Sequence, residues 1–220
     1  MEKTSPARGR NPRGQGARLR EEIVSVTLRL LDELGDDQAL SLRAVARELG
    51  IAATSVYIHF DDRDQLVLAT LERFHRDLMR AIDQAEAGAA GPVGKLRARV
   101  LLLGEVVNRH PGLYKVLHES TLNQRTAMAF KQDLAERTTT AVQRCMDAGL
   151  APADDAATVS LDLRAAVHGA VSLRINQPDL PWTPLEEQVD RFLVKLVGIS
   201  PQALPHRHAV RPRFADGTDT

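Results

Sequence analysis

Between positions 41 and 63 the chain gathers hydroxyls, cations and small apolar side chains: Ser41, Arg43, Ala53, Thr54, Ser55, Tyr57, Ile58, His59 and Arg63. This mixture is suited to recognition rather than bond breaking. Arginine guanidinium groups and hydroxyls donate to phosphate oxygens, which positions a protein on a duplex without reading its sequence. Thr54 and Ser55 can hydrogen-bond a phosphate or a base edge, and Ala53 and Ile58 can touch a thymine methyl. Tyr57 and His59 suit phosphate. Val56 and Phe60, four positions apart, are expected to face inward, leaving 53–55 and 57–59 outside.

Such side chains act together only if two short helices hold them. Leu40 before Ser41 and Val45 after it form a hydrophobic staple around a good N-cap, opening a helix whose inner stripe is Leu42, Val45, Ala46 and Leu49. Gly50 is a left-handed stop. A second short helix is predicted at 53–60, and Asp62 with Gln65 caps a long one carrying Val67, Leu71, Phe74, Leu78 and Ile82. Two short helices across a tight glycine turn make a helix-turn-helix, whose second helix reads the major groove. A preceding helix is predicted from 17, with Leu19, Ile23, Val26, Leu30 and Leu34 as its apolar line and Gly35 as its stop. Beyond the long helix come helices around Leu96–Val107, 113–119, 122–148, 153–176 and 184–197. The fold class is therefore all-α, with a three-helix N-terminal domain and a helical C-terminal one.

The 220 residues are 43% hydrophobic and poor in aromatics, and Ala, Leu and Val dominate, as expected of helices packed on helices. The 29 basic residues balance the 29 acidic ones, giving a formal net charge of +0. The balance is uneven along the chain: Lys3, Arg8, Arg10, Arg13, Arg18 and Arg20 face only Glu2 in the first twenty positions. Residues 1–16 read as a flexible basic arm, able to meet phosphate or simply to solubilise. No apolar run reaches the length of about 18 residues that a membrane span needs, and the N-terminus lacks the apolar core of a signal peptide. The single cysteine, Cys145, cannot form an internal disulfide and reads as a small buried filler, so the expected location is the cytoplasm. No phosphate-binding loop, zinc spacing or nucleophile elbow occurs. The expectation is a non-enzyme without cofactor or metal; His206 and His208 lack further ligands.

The stretch from Leu40 through Val67 resembles the DNA-binding domain of the tetracycline-repressor family. The resemblance covers about 17–70, and rests on Ser41 to Arg43, the Leu49-Gly50-Ile51 turn, Tyr57-x-His59-Phe60 and Asp62-Arg63. It implies DNA contacts from Arg43, from Ala53, Thr54 and Ser55, from Tyr57 and His59, and from Arg63, where the family has lysine. Ala52 stands where the family carries a serine-like cap, which implies a weakly held reading helix. A second stretch, Leu163 to Leu173, is similar to a Trp-x-x-x-His-Gly element of one subgroup. His168 and Gly169 match; Arg164 replaces the tryptophan.

The resemblance implies an effector-binding core, a homodimer made by the last two helices, and a repressor released from a pseudo-palindromic operator by a small molecule. Apolar faces nominate Leu103, Val107, Tyr114, Leu117, Phe130 and Leu134 as pocket walls, although each taken singly reads more readily as plain core, together with Arg164 and His168. Arg164 either binds an anionic effector or pairs with an acid of a partner chain. His168 also reads as a locally hydrogen-bonded core or interface histidine. Ala165, Gly169 and Ser172, with Val189, Phe192 and Leu196, are the expected dimer contacts. Trp182 reads as a packing anchor. The organisation expected is an arm (1–16), a helix-turn-helix domain (17–65), an effector and dimer domain (66–198) and an irregular tail (199–220). A ligand-independent regulator and a helical interaction module without DNA binding remain alternatives.

Overall fold

A computed structural model describes residues 15–122 and 129–205. The expected arm up to residue 14, the stretch 123–128 and the tail from 206, with His206 and His208, lie outside the described residues. Those residues form nine α-helices and no strand: α1 (Gln15–Leu34), α2 (Leu42–Glu48), α3 (Ala53–Tyr57), α4 (Arg63–Ala87), α5 (Gly91–Arg109), α6 (Pro111–Glu119), α7 (Ala129–Asp147), α8 (Ala156–Asn176) and α9 (Leu185–Leu196). Two short 3-10 turns, Asp37–Ala39 and Pro201–Ala203, complete them.

The ends follow local chemistry. Gly35 ends α1 in the left-handed region at φ 60°, and its N–H donates to the Leu31 carbonyl at 2.9 Å. The predicted stripe of α1 holds in part: Ile23 is buried, and Leu19, Val26 and Leu30 are half-buried against the core. Ile23, Val24, Thr27 and Leu31 are its buried line, whereas Leu34 is 45% exposed. The reason is tertiary: α1 packs against α2, α4 and α6 together, so a broad face is covered. Thr27 is tolerated there because its hydroxyl donates to the Ile23 carbonyl at 2.8 Å.

Two cores organise the chain. The first joins Ile23, Leu31, Val45, Val56, Leu66 and Leu71 to Leu102 and Val106 of α5 and to Leu113 and Val116 of α6. The second joins Leu96 of α5 to Val142 and Cys145 of α7, Leu163 of α8, and Val189 and Leu193 of α9. Helix α5 is thus the shared wall. It is pinned on both sides by charge: Arg97 grips Asp190 of α9 at 2.5 and 3.1 Å, and Arg99 donates to Glu86 of α4 at 2.6 Å. Removing one partner of such a buried pair leaves an uncompensated charge and costs about 3–5 kcal/mol.

One contact ties the N-terminal helices to the body. The Asp32 carboxylate, near the end of α1, accepts the N–H groups of Gly112 and Leu113 in the first turn of α6 and meets His110 Nδ1 at 2.8 Å. It satisfies donors that a helix start leaves without an intrahelical partner. No described helix is long and apolar enough to cross a membrane.

Candidate nucleic-acid interface

Helix α2 is held at both ends. Ser41 Oγ accepts the Ala44 N–H at 3.1 Å, as its type and position predict. That bond uses the oxygen as acceptor and leaves the hydroxyl proton free to donate outward. At the other end Gly50 adopts φ 65°, the Ile51 N–H reaches the Ala46 carbonyl at 3.0 Å, and the Gly50 N–H reaches Arg47 at 3.1 Å. This paired closure turns the chain straight into α3.

Helix α3 is shorter than its spacing suggests and ends at Tyr57 rather than Phe60. The N–H groups of His59 and Phe60 both converge on the Val56 carbonyl, at 2.9 and 3.0 Å, so the last residues close into a turn. Val56 and Phe60 are buried, at 0% and 2% exposure, and they anchor this turn to the first core. The Arg20 guanidinium of α1 stacks 4.9 Å from the centre of the Phe60 ring. Ala52 supplies no side-chain cap. Asp62 then caps α4, accepting the Gln65 N–H at 2.8 Å, while Gln65 Oε1 reaches back to the Asp61 N–H at 3.3 Å.

These anchors leave one outward face. Ser41, Arg43 and Thr54 are exposed; Ala53, Ser55 and His59 are half-buried. Tyr57 is 49% and Ile58 80% exposed. Arg43 has no ion-pair partner among the described residues, whereas Arg63 is half-buried and bridges Asp64 at 3.1 Å. A Cβ on Gly16 would stand 3.8 Å from His59 Cε1, so α1 begins beside the end of α3.

In the body, Leu103, Leu117, Phe130 and Leu134 are half-buried against the first core, and Val107 is buried. None of them lines the open cleft of about 480 Å³ between α9 and the 201–205 segment. Tyr114 and His168 do meet: the phenol and His168 Nδ1 are hydrogen-bonded. His118 joins them, its ring 4.4 Å from that of Tyr114 and 4.7 Å from that of His168. Loss of water, then the charge of Glu119, pushes the Tyr114 phenol above its ordinary range. Loss of water, then His168, Lys131 and Arg164, holds the His118 imidazole well below its ordinary value. Sequence reading missed His118, although its place four positions after Tyr114 put both on one helical face. It also missed His75, buried on α4, whose ring lies 5.2 Å from that of Phe130 and whose Nε2 is 3.4 Å from Asp133 Oδ2.

On the predicted dimer face, Ala165 is exposed, Gly169, Ser172 and Phe192 are half-buried, and Leu196 is 37% exposed. Leu161, at 60% exposure, extends that face. Val189 is corrected: at 1% exposure it belongs to the chain's own second core and has no surface left for a partner. Cys145 is fully buried, and burial raises its thiol to about 11. Trp182 donates its indole N–H to the Gln177 carbonyl at 2.9 Å, and Arg174 covers its ring at 4.8 Å.

Two family models match the chain. Residues 23–70 match bacterial regulatory proteins of the tetR family, and residues 105–197 match a tetracyclin repressor-like C-terminal domain. Among solved structures, a Rhodococcus sp. RHA1 protein of unknown function superposes with a TM-score of 0.70 at 25% identity, over 86% of this chain and 100% of that one. SmeT, the repressor of the Stenotrophomonas maltophilia multidrug efflux pump SmeDEF, superposes at 0.66 with 22% identity, over 85% and 96%. SmeT in complex with triclosan gives 0.66 at 21% identity, over 85% and 97%.

Proposed function

The chain belongs to the tetR family of bacterial regulatory proteins, and from that premise we propose that it is a homodimeric repressor released from a pseudo-palindromic operator by a small-molecule effector. The observation that carries the reading is the outward face of Thr54, Tyr57 and Ile58, presented by a short helix that Val56 and Phe60 clamp from behind. Arg43 and the Ser41 hydroxyl flank that face as phosphate donors, and Arg63 exchanges Asp64 for phosphate. Ala53 and Ser55 at the start of α3 and His59 at its end complete the contact.

A second copy supplies the second reading head. The exposed Leu161 and Ala165, with Ser172, run along one side of α8, and Leu196 and Phe192 continue on α9. Two heads then fit successive major grooves when their spacing is about 34–36 Å or a multiple. The effector acts by changing that spacing. Support for an effector comes from the ligand-binding C-terminal domain of the family and from SmeT, whose fold this chain shares and which has been solved with triclosan. His168 and Gly169 also favour the Trp-His-Gly subgroup, with Arg164 as the departure.

The test is selection of binding sites from random duplex DNA by the full chain at two salt concentrations. Enrichment of a two-fold symmetric site is the expected result. No enrichment at either salt from a folded, dimeric protein overturns the reading.

A further inference from the structure

Tyr114 and His118 on α6 and His168 on α8 pack as three mutually tilted rings, with centroids 4.4, 4.7 and 5.6 Å apart. None of the three rings is fully buried. Their faces and edges are therefore available to a further ring, which aromatic groups accept in offset or edge-on geometry. Two cations and one acid also act on the cluster through their charge. Arg164, one turn before His168, and Lys131 of α7 both stand close enough to act on His118 through their charge. Lys131 is held in place by the Leu117 carbonyl, 2.5 Å from its ammonium. Arg164 has no carboxylate partner among the described residues. Glu119 acts on the Tyr114 phenol through its charge.

The Tyr114 phenol and His168 Nδ1 share one hydrogen bond, so Nε2 is the His168 ring nitrogen left to meet a ligand. A planar ring bearing one carboxylate matches this set. The ring stacks on the three side chains, and the carboxylate takes the Arg164 fork and an imidazole N–H. A metal ion matches less well: the described residues hold no group of three His, Cys, Asp or Glu able to ligate one, and the Tyr114 oxygen is already engaged.

We propose that the Tyr114–His118–His168 cluster with Arg164 is a binding site for an aryl carboxylate, and that this is the effector class of the regulator. The proposal rests on the repressor reading above. It also supplies a route to the reading heads. Tyr114 follows Leu113, whose N–H, with that of Gly112, is held by Asp32 of α1. A ligand that draws the Tyr114 and His118 faces toward α8 pulls on that bond.

The probes are benzoate and its neutral isostere benzamide, titrated into the full chain with its histidine imidazoles labelled for NMR. Benzoate is expected to shift the His118 and His168 resonances and to bind about tenfold more tightly than benzamide. Arg164→Met, which keeps the apolar stem, is expected to remove that preference, while benzamide still shifts the His118 and His168 resonances. Equal affinity for the two probes, an unchanged preference in Arg164→Met, or shifts confined to other histidines overturns the site. A protein that selects an operator yet shows no benzoate response loses this proposal and keeps the repressor reading. A protein that selects no operator loses that reading whatever benzoate does.

Discussion

Asp32 and Gly112 stand 80 residues apart in the chain, yet the Asp32 carboxylate accepts the Gly112 N–H at 3.0 Å. The approach is as close as backbone allows. A Cβ on Gly112 would lie 1.9 Å from the Asp32 carbonyl oxygen. Asp32→Ala removes an anion from the start of α6 and is expected to cost about 1–3 kcal/mol. Amide exchange should quicken at Gly112 and Leu113 while α3 amides are unchanged. Gly112→Ala must instead push α1 off α6, since the obstructing atoms are backbone. A denaturant midpoint that moves with neither substitution would remove this contact from any account of coupling.

The reading helix lacks a side-chain cap at Ala52. Ala52→Ser offers an oxygen to the Thr54 or Ser55 N–H and is expected to stabilise the helix by about 1 kcal/mol. Slower exchange at those two amides is the readout, and operator affinity should rise as less ordering accompanies binding.

On the proposed interface the outward residues divide by role. Tyr57→Phe should weaken binding to all duplexes alike, because a phosphate contact carries no sequence information. Thr54→Ala and Ile58→Ala should change base preference, by about 1–3 kcal/mol where an edge or methyl is read. Binding-site selection repeated with each variant separates the two patterns. Identical profiles for all three would place other residues in the groove.

Ala165 is exposed on α8, on the same side as Leu161. Ala165→Glu puts a charge there without touching either core. Helical content should be unchanged, and sedimentation should show monomer in place of the proposed dimer. A persistent dimer would move the interface off this face.

His75 titrates against stability. Burial favours its neutral form and lowers its pKa from 6.5, although Asp133 partly opposes this. Its contribution is complete above 6.5 and is lost as pH falls through that value toward the lowered one. Asp133 behaves like any favoured carboxylate: Arg137 foremost, and His75 as well, hold it below 3.8, so its contribution disappears only in stronger acid. The thermal unfolding midpoint of the unaltered chain should therefore decline as pH falls below 6.5, where the lowered His118 also contributes, and His75→Gln should shrink that decline.

Local chemistry can be read from neighbouring residues alone. The Ser41 and Asp62 caps, the left-handed Gly35 and Gly50, the apolar line of α4 and the inward pair Val56 and Phe60 each depend on residues within one or two turns of each other. Helical periodicity and capping act over that range, so sequence alone determined these caps, the glycine turn and the inward pair of α3. The rotation of α1, the burial of Val189, and the meetings of Asp32 with Gly112, His75 with Asp133 and Tyr114 with His168 were decided only by tertiary structure. A helix with a broad apolar face can settle at several rotations, and the neighbours that choose among them lie tens of residues away. Partners brought together by that choice leave no spacing in the sequence to read.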